Sequence, residues 1–310
     1  MQFSRRIVAA IVASLALSSL APLGPAHAAA AKKTSAAKPA PKPEPKPAAW
    51  FSFQPKSKPN TPVKRAQVKR VQTNKVQAKP APAPVACEPA KFRLFVDVGH
   101  TSESPGADSA RNDVEFGFNL QLAKLIVARL KSEGFAATRL LITEGKAKPS
   151  LFKRVNAAND AHADFFLSIH HDSVPEKLQE PWEFEGGKSH FSDRFSGHST
   201  FVSKRNPHFA TSLTVARLIG KQLKESGLQY ATQYTLPIMG RYRRDLIDKD
   251  VGVYRYDGLV VLSRTRSPAV LLEAGSIINR DEEIEMNSPE RREIIVAAVV
   301  GAMKQYCEKK

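Results

Sequence analysis

Two adjacent histidines, His170 and His171, follow the apolar run of "FLSIHHDS" (Phe166 to Ser173). Neighbouring side chains on a strand point to opposite faces, so a single site takes one of the pair and not both. Other residues of the same chemical kind stand where apolar runs end or amphipathic ones begin. His100 closes "KFRLFVDVGH", Glu115 opens an amphipathic stretch, and Glu273 lies inside "AVLLEAGS". Two or three His/Glu ligands with a further carboxylate make the residue set of a catalytic zinc site. Three protein ligands leave a fourth position for a water whose pKa falls to about 7. A separate carboxylate then takes and returns protons. Glu273 is the least ordinary of the set, because a carboxylate at the end of an apolar strand is costly unless paired or functional. There is no H-E-x-x-H run to tie the ligands together locally. Spacing alone therefore leaves both the ligand set and the choice between His170 and His171 open.

The elements that must position these residues alternate. "KFRLFVDVGH", "ATRLLI", "DFFLSI", "LVVLS" and "AVLLEAG" read as strands. Residues 115–133 predict a helix, with Phe116, Leu120, Ala123, Val127 and Leu130 at spacings of four and three and Gly134 as the stop. Further helices are predicted over 151–162 and from the Asn206-Pro207 start to about Gly227. A last one runs from Ser288-Pro289, with Ile295, Ala298, Val299, Ala302 and Tyr306 on one face. The alternation predicts an α/β fold with a mostly parallel central sheet flanked by helices. Ligands in such sheets sit beyond the carboxyl ends of the strands, which is where His100, the His170-His171 pair and Glu273 fall. Residues 174–198, with "EFEGGKSHFSDRFSGHS", read as a polar loop that either shapes a groove or is a plain surface insertion. His190, His198 and His208 read as ordinary polar residues.

The chain ahead of this domain is of a different kind. Residues 1–28 read as an export signal, with Arg5 and Arg6 before an apolar run and Ala26-His27-Ala28 as the cleavage site. The "SRRIVAA" beginning resembles a twin-arginine signal without the usual bulky residue, which leaves Sec and Tat export open. Residues 29–90 form a basic Pro/Ala/Lys-rich linker that buries too little apolar surface to offset chain entropy, and it is expected to be disordered. Trp50-Phe51-Ser52-Phe53 is its one apolar island. The net charge of +17 belongs to this tail: the first 86 residues hold 15 Lys/Arg and one acid, the remainder 32 basic and 29 acidic residues. The tail thus suits anionic wall polymers or lipid surfaces, or is a solvated spacer, and export argues against nucleic acid as a partner. Cys87 and Cys307 bracket the domain, and export makes a disulfide between them plausible. A single catalytic domain is expected over 91–310.

Taken together, "LFVDVGHTSESPGA", "EFGFNLQLAKLIVARLKSEGF", "SLFKRVNAANDAHADFFLSIHHDS" and "PAVLLEAGSIINRDEE" resemble the zinc-dependent N-acetylmuramoyl-L-alanine amidases of the Amidase_3 family, in order and spacing along nearly all of 92–307. The resemblance implies hydrolysis of the amide between N-acetylmuramic acid and L-alanine in peptidoglycan. It implies zinc on His100, Glu115 and His170, with Glu273 as the catalytic general base and acid. It selects His170 through the S-I-H motif and leaves His171 as a residue that orients a neighbour or touches substrate. Thr101-Ser102 stands where the family more often has two glycines, and His171 where a small residue is usual. The implied surroundings are the periplasm or cell wall, with peptidoglycan as substrate and room for a protein activator. Two rivals remain at this level. One is a zinc carboxypeptidase-like wall peptidase, to which the H-x-x-E spacing of His100 and Glu103 is similar. The other is a non-catalytic peptidoglycan-binding or regulatory protein.

Overall fold

A computed structural model describes residues 87–308. The expected signal, the linker as far as residue 86 and the Trp50–Phe53 island lie outside the described residues. Cys87 is bonded to Cys307 across a separation of 220 residues. A loop of that length is worth about 5 kcal/mol in the chain-entropy account of cross-links. A short 3-10 turn over Pro89–Lys91 follows, so residues 87–90, read from composition as linker, belong to the fold.

The central sheet has seven strands. In chain order these are β1 (Leu94–Val98), β2 (Arg139–Leu141), β3 (Phe165–Asp172), β6 (Ser199–Val202), β7 (Asp245–Asp248), β8 (Val253–Arg255) and β9 (Ala269–Ser276). A separate two-stranded hairpin is formed by β4 (Glu180–Phe184) and β5 (Gly187–Phe191). Across the sheet the order is β2-β1-β3-β9-β6-β8-β7. β1 runs parallel to β2 and β3, β3 to β9, and β6 to β8, whereas β6–β9 and β7–β8 are antiparallel. The mostly parallel sheet expected from the alternation is what forms.

Both faces are covered, which is why the strands are apolar runs rather than alternating ones. Leu94, Val96 and Val98 of β1 enter one core with α1 (Glu115–Ser132), α3 (Phe209–Glu225) and α6 (Pro289–Glu308), the last preceded by the short α5 (Arg280–Asn287). Phe95 of β1 enters the other, with Phe166, Leu271 and Val155 of α2 (Ala147–Asp160). The period of two along the strand is what divides them. Ser288 caps the start of α6, its hydroxyl accepting from the Arg291 N–H at 3.1 Å. Ile295, Ala298, Val299, Ala302 and Tyr306 are all buried, as the spacing predicts. Among the described residues no helix is long and apolar enough to cross a membrane.

Three local expectations shift. "LVVLS" is not a strand: Val260–Ser263 form the short helix α4, with Val261 and Leu262 buried. A short apolar run fits a buried strand or a buried helical turn equally well, and the sheet positions here go to β6 and β8. In α1 the fully buried side is Glu115, Phe118, Asn119, Leu122, Ala123, Ile126 and Leu130. Phe116, Leu120 and Val127 are only partly buried. The helix is apolar over a wide arc, and turning Glu115 inward selects the stripe at 115, 118/119, 122 and 126. Asn206 does not cap α3. Its amide instead donates to the carbonyls of Leu262, Thr265 and Ser267 at 2.9, 3.1 and 3.0 Å, tying α4 to the start of α3.

Candidate metal centre

β1 delivers the first ligand through a tight turn. A Cβ at Gly99 would stand 2.5 Å from Cε1 and Nε2 of His170, so only glycine lets the two strand ends approach. The next residue, His100, has φ of 66°, a left-handed conformation that costs a non-glycine residue on the order of 1–3 kcal/mol. Arg154 of α2 holds it there. Its guanidinium donates to the carbonyls of Val98 and His100 and to Asp97 Oδ1, the last at 2.9 Å. Ser168 of β3 donates to the other Asp97 oxygen at 2.7 Å. Arg154 and Asp97 are both buried, so the pair depends on mutual compensation. Arg154→Met should leave Asp97 buried without its counter-charge and destabilise the domain by about 3–5 kcal/mol. Urea denaturation checks this, and an unchanged midpoint would refute the clamp.

Glu115 is the first residue of α1, where the helix dipole favours a negative charge, and it is fully buried. Its Oε1 lies 3.0 Å from His170 Nδ1 and accepts from Asn119 Nδ2 at 3.0 Å and the His171 N–H at 3.3 Å. Its Oε2 lies 3.2 Å from His100 Nε2 and accepts from the Ala107 N–H at 3.2 Å. A Cβ at Gly106, whose φ is 95°, would strike this oxygen at 2.5 Å. Burial pushes the Glu115 carboxyl up, but His100 and His170 outweigh it and hold the group well below the usual carboxylate range. Burial drives His170 down despite Glu115. That favours the neutral imidazole, the form that binds metals.

The ligand atoms of His100, Glu115 and His170 lie within 4.8 Å of one another, the one such trio among the described residues. Two imidazoles and an ionised carboxylate are the donor set of a catalytic zinc site with an open fourth position. The cradle has no room for a Cβ at either glycine that faces it, so these residues fit a zinc ion. Glu103, the alternative partner of His100 in the H-x-x-E spacing, is exposed and stands outside the trio.

Glu273 comes from β9. Its register partners are His170 on β3 and Ser199 on β6, and residues paired across strands share a face. His170, Glu273 and Ser199 therefore form a row across the sheet. Glu273 is buried, and its Oε2 has no hydrogen-bond partner among the described residues. Burial first, then the charges of Asp172 and Glu115, push its carboxyl well above the ordinary range. Asp172 is buried beside it and is raised to about 7, chiefly by burial. It accepts from Tyr234 Oη at 2.6 Å, Gln233 Nε2 at 3.1 Å and the Ser173 N–H at 2.8 Å. One carboxylate pulled down and another pushed up, within one site, is the pattern that separates a ligand from a proton carrier.

His171 points the other way, as strand alternation requires. It is 3% exposed, its ring centroid is 5.5 Å from that of Phe118, and its Nδ1 donates to Asn119 Oδ1 at 2.8 Å. Asn119 in turn donates to Glu115 and to the Gly99 carbonyl. His171 thus orients a ligand's neighbour from beneath the site, and burial pushes its pKa down to about 3.

Other supports were not visible in the sequence pattern. The segment read as a loop over 174–198 contains the β4–β5 hairpin, turned at Glu185-Gly186, both at positive φ. Trp182 Nε1 and Ser189 Oγ each donate to the Ala110 carbonyl at 2.8 Å, bracing the stretch between His100 and Glu115. The "EGG" turn was the available sign of a hairpin. His190 and His208 are exposed as expected, but His198 is buried, with both ring nitrogens lacking a hydrogen-bond partner among the described residues. Arg154 and Tyr234 carry no local signal, because each acts through a partner distant in the chain, and Asn119, one helical turn from Glu115, is itself oriented by the distant His171.

Comparison with known proteins bears on the family and the fold. A family model described as N-acetylmuramoyl-L-alanine amidase matches residues 94–305. A putative N-acetylmuramoyl-L-alanine amidase of Buchnera aphidicola subsp. Baizongia pistaciae is 25% identical over 214 residues, covering 69% of this chain and 95% of its own. The crystal structure of the amidase Ami1 from Mycobacterium smegmatis superposes with a TM-score of 0.54 at 19% identity, over 72% of this chain and all of that one. The CwlD amidase of Clostridioides difficile, solved in complex with the GerS lipoprotein, gives 0.50 at 19% identity, over 70% and 98%. At these identities the two structures speak to the fold.

Proposed function

The chain belongs to the N-acetylmuramoyl-L-alanine amidase family, and we propose that His100, Glu115 and His170 hold its zinc while Glu273 carries the proton. The enzyme hydrolyses the amide between N-acetylmuramic acid and L-alanine in peptidoglycan. The observation that carries the site assignment is the convergence of two imidazoles on one buried carboxylate, with a second carboxylate of opposite pKa shift one strand away.

When bound, zinc polarises the scissile carbonyl and lowers the pKa of a water beside it. Glu273 takes the proton of the attacking water at the oxygen that lacks a protein partner and delivers it to the departing alanine amine. Its raised affinity for a proton suits the second half of that task. Asn119 and His171 hold the Glu115 carboxylate toward the two histidines, and Arg154 holds the strained turn of His100.

Peptidoglycan lies outside the cytoplasm, so the enzyme acts there. We assign residues 1–28 to export, 29–86 to a basic linker that contacts anionic wall or lipid surfaces, and 87–310 to the catalytic domain, working in the periplasm or wall. The Cys87–Cys307 bond supports an oxidising compartment. The complex of CwlD with a lipoprotein supports a protein partner for this chain, and we take that partner to be an activator.

The test is digestion of purified peptidoglycan with and without a chelator, followed by mass spectrometry of the released material. Intact stem peptides with a free N-terminal alanine, lost on chelation and regained with zinc, are expected. Cleavage within the stem would instead favour a wall peptidase, and binding without release a non-catalytic protein.

A further inference from the structure

Several basic side chains of the domain are matched by acids. Arg93 pairs with Asp164, Arg111 with Glu283, Arg217 with Asp248, Arg280 with Asp193 and Lys304 with Glu133. One segment gathers several cations in a short span. The 3-10 turn Pro237–Tyr242 and the two residues after it read "PIMGRYRR", with three arginines in the last four positions. Arg241 and Arg243 are exposed and form no ion pair among the described residues. Lys177, in the turn that follows β3, is exposed, likewise forms no ion pair among the described residues, and sits 4.0 Å from where a Cβ of Gly240 would stand. The nearest acid along the chain, Asp245, is engaged with Arg255.

The segment is tethered, and its tether leads toward the metal centre. Met239 anchors it in the core. The Arg244 N–H donates to the Tyr234 carbonyl at 2.8 Å, and the Tyr234 hydroxyl donates to Asp172, two residues beyond His170. The Arg244 guanidinium lies 3.8 Å over the Tyr256 ring and donates to the carbonyls of Arg241 and Arg243 at 3.1 and 2.7 Å. Arg241 lies over Tyr242 and donates to its hydroxyl at 2.7 Å. The Tyr242 contact pre-positions the Arg241 guanidinium, and the backbone tethers fix the segment that carries Arg243, which lowers the entropy lost when they meet an anion.

The substrate has its charge on one side. Beyond the scissile amide the stem continues through L-alanine to D-glutamate and a diamino acid, which carry free carboxylates unless these are amidated. The sugar side is neutral at the lactyl carbonyl. We propose that Arg241 and Arg243, with Lys177, form a subsite for the stem-peptide carboxylates, so that the enzyme prefers acidic stems to amidated ones. This rests on the amidase reading above and adds a substrate preference to it. A guanidinium suits this role because its planar fork matches a carboxylate in two parallel hydrogen bonds.

The test compares wild type with the R241Q/R243Q double variant on two soluble muropeptides that differ only in D-glutamate or D-isoglutamine at the second stem position. Wild type should show a KM about tenfold lower on the acid form, and this advantage should shrink as NaCl is raised. The double variant should lose the advantage with kcat unchanged, and its KM on the amidated form should match wild type. Both side chains are exposed, so thermal melting should not move. Equal KM values for wild type on the two substrates, or an equal rise on both in the variant, would overturn the subsite. Binding of wild type but not the variant to phosphatidylglycerol vesicles, with muropeptide kinetics unaltered, would overturn it in favour of a membrane contact. Failure of wild type to cleave either muropeptide would strike the amidase reading itself.

Discussion

Replacing Glu273 by glutamine is expected to leave the metal in place and cut kcat by about 10²–10⁴-fold. The amide has nearly the shape of the carboxyl, but it cannot take the proton of the attacking water or return it to the amine. Glu273 is paired in register with His170 yet contributes no atom to the trio of ligand groups, so metal content should be unchanged. A second consequence has the opposite sign. Burial and two neighbouring carboxylates raise the folded-state pKa of Glu273. Above the ordinary glutamate range the folded metal-free protein therefore binds a proton that the unfolded chain has lost, and stability falls as pH rises through that window. Glu273→Gln removes this term. Chelator-treated Glu273→Gln protein should melt higher than chelator-treated wild type at pH 8, with the gap closing toward pH 4. Full activity in the variant would move the proton carrier elsewhere, with Asp172, raised to about 7, as the next candidate.

His170→Ala and His171→Ala should part company. The first removes a ligand, and both bound metal and activity should fall to the level of chelator-treated wild type. The second removes the donor that fixes Asn119, which in turn orients Glu115. It should keep one ion per chain at saturating zinc but bind it about 10–100-fold more weakly, the usual loss when a ligand's supporting hydrogen bond is cut. Elemental analysis and titration against a competing chelator measure both. If His171→Ala loses the ion and His170→Ala keeps it, the assignment of the pair is reversed.

The chain's order of elements and its candidate ligands were legible without coordinates because both are local. Apolar runs of strand length, helical spacing in 115–133 and 289–306, and polar residues at run ends are properties of a few consecutive side chains. They placed His100, Glu115, the histidine pair and Glu273 at the edge where a parallel sheet binds ligands. Alternation required the pair to divide, and the S-I-H resemblance named His170. What the pattern could not carry was anything made by residues far apart in the chain. "LVVLS" had the composition of a strand, and became a helix because other segments took the sheet positions. The rotation of α1, the Arg154 clamp on a strained His100 and the hairpin gripping Ala110 each depend on contacts across tens of residues. The same holds for the opposed shifts of Glu115 and Glu273. A carboxyl's proton affinity is set by burial and by the charges folded against it, and neighbours in sequence determine neither.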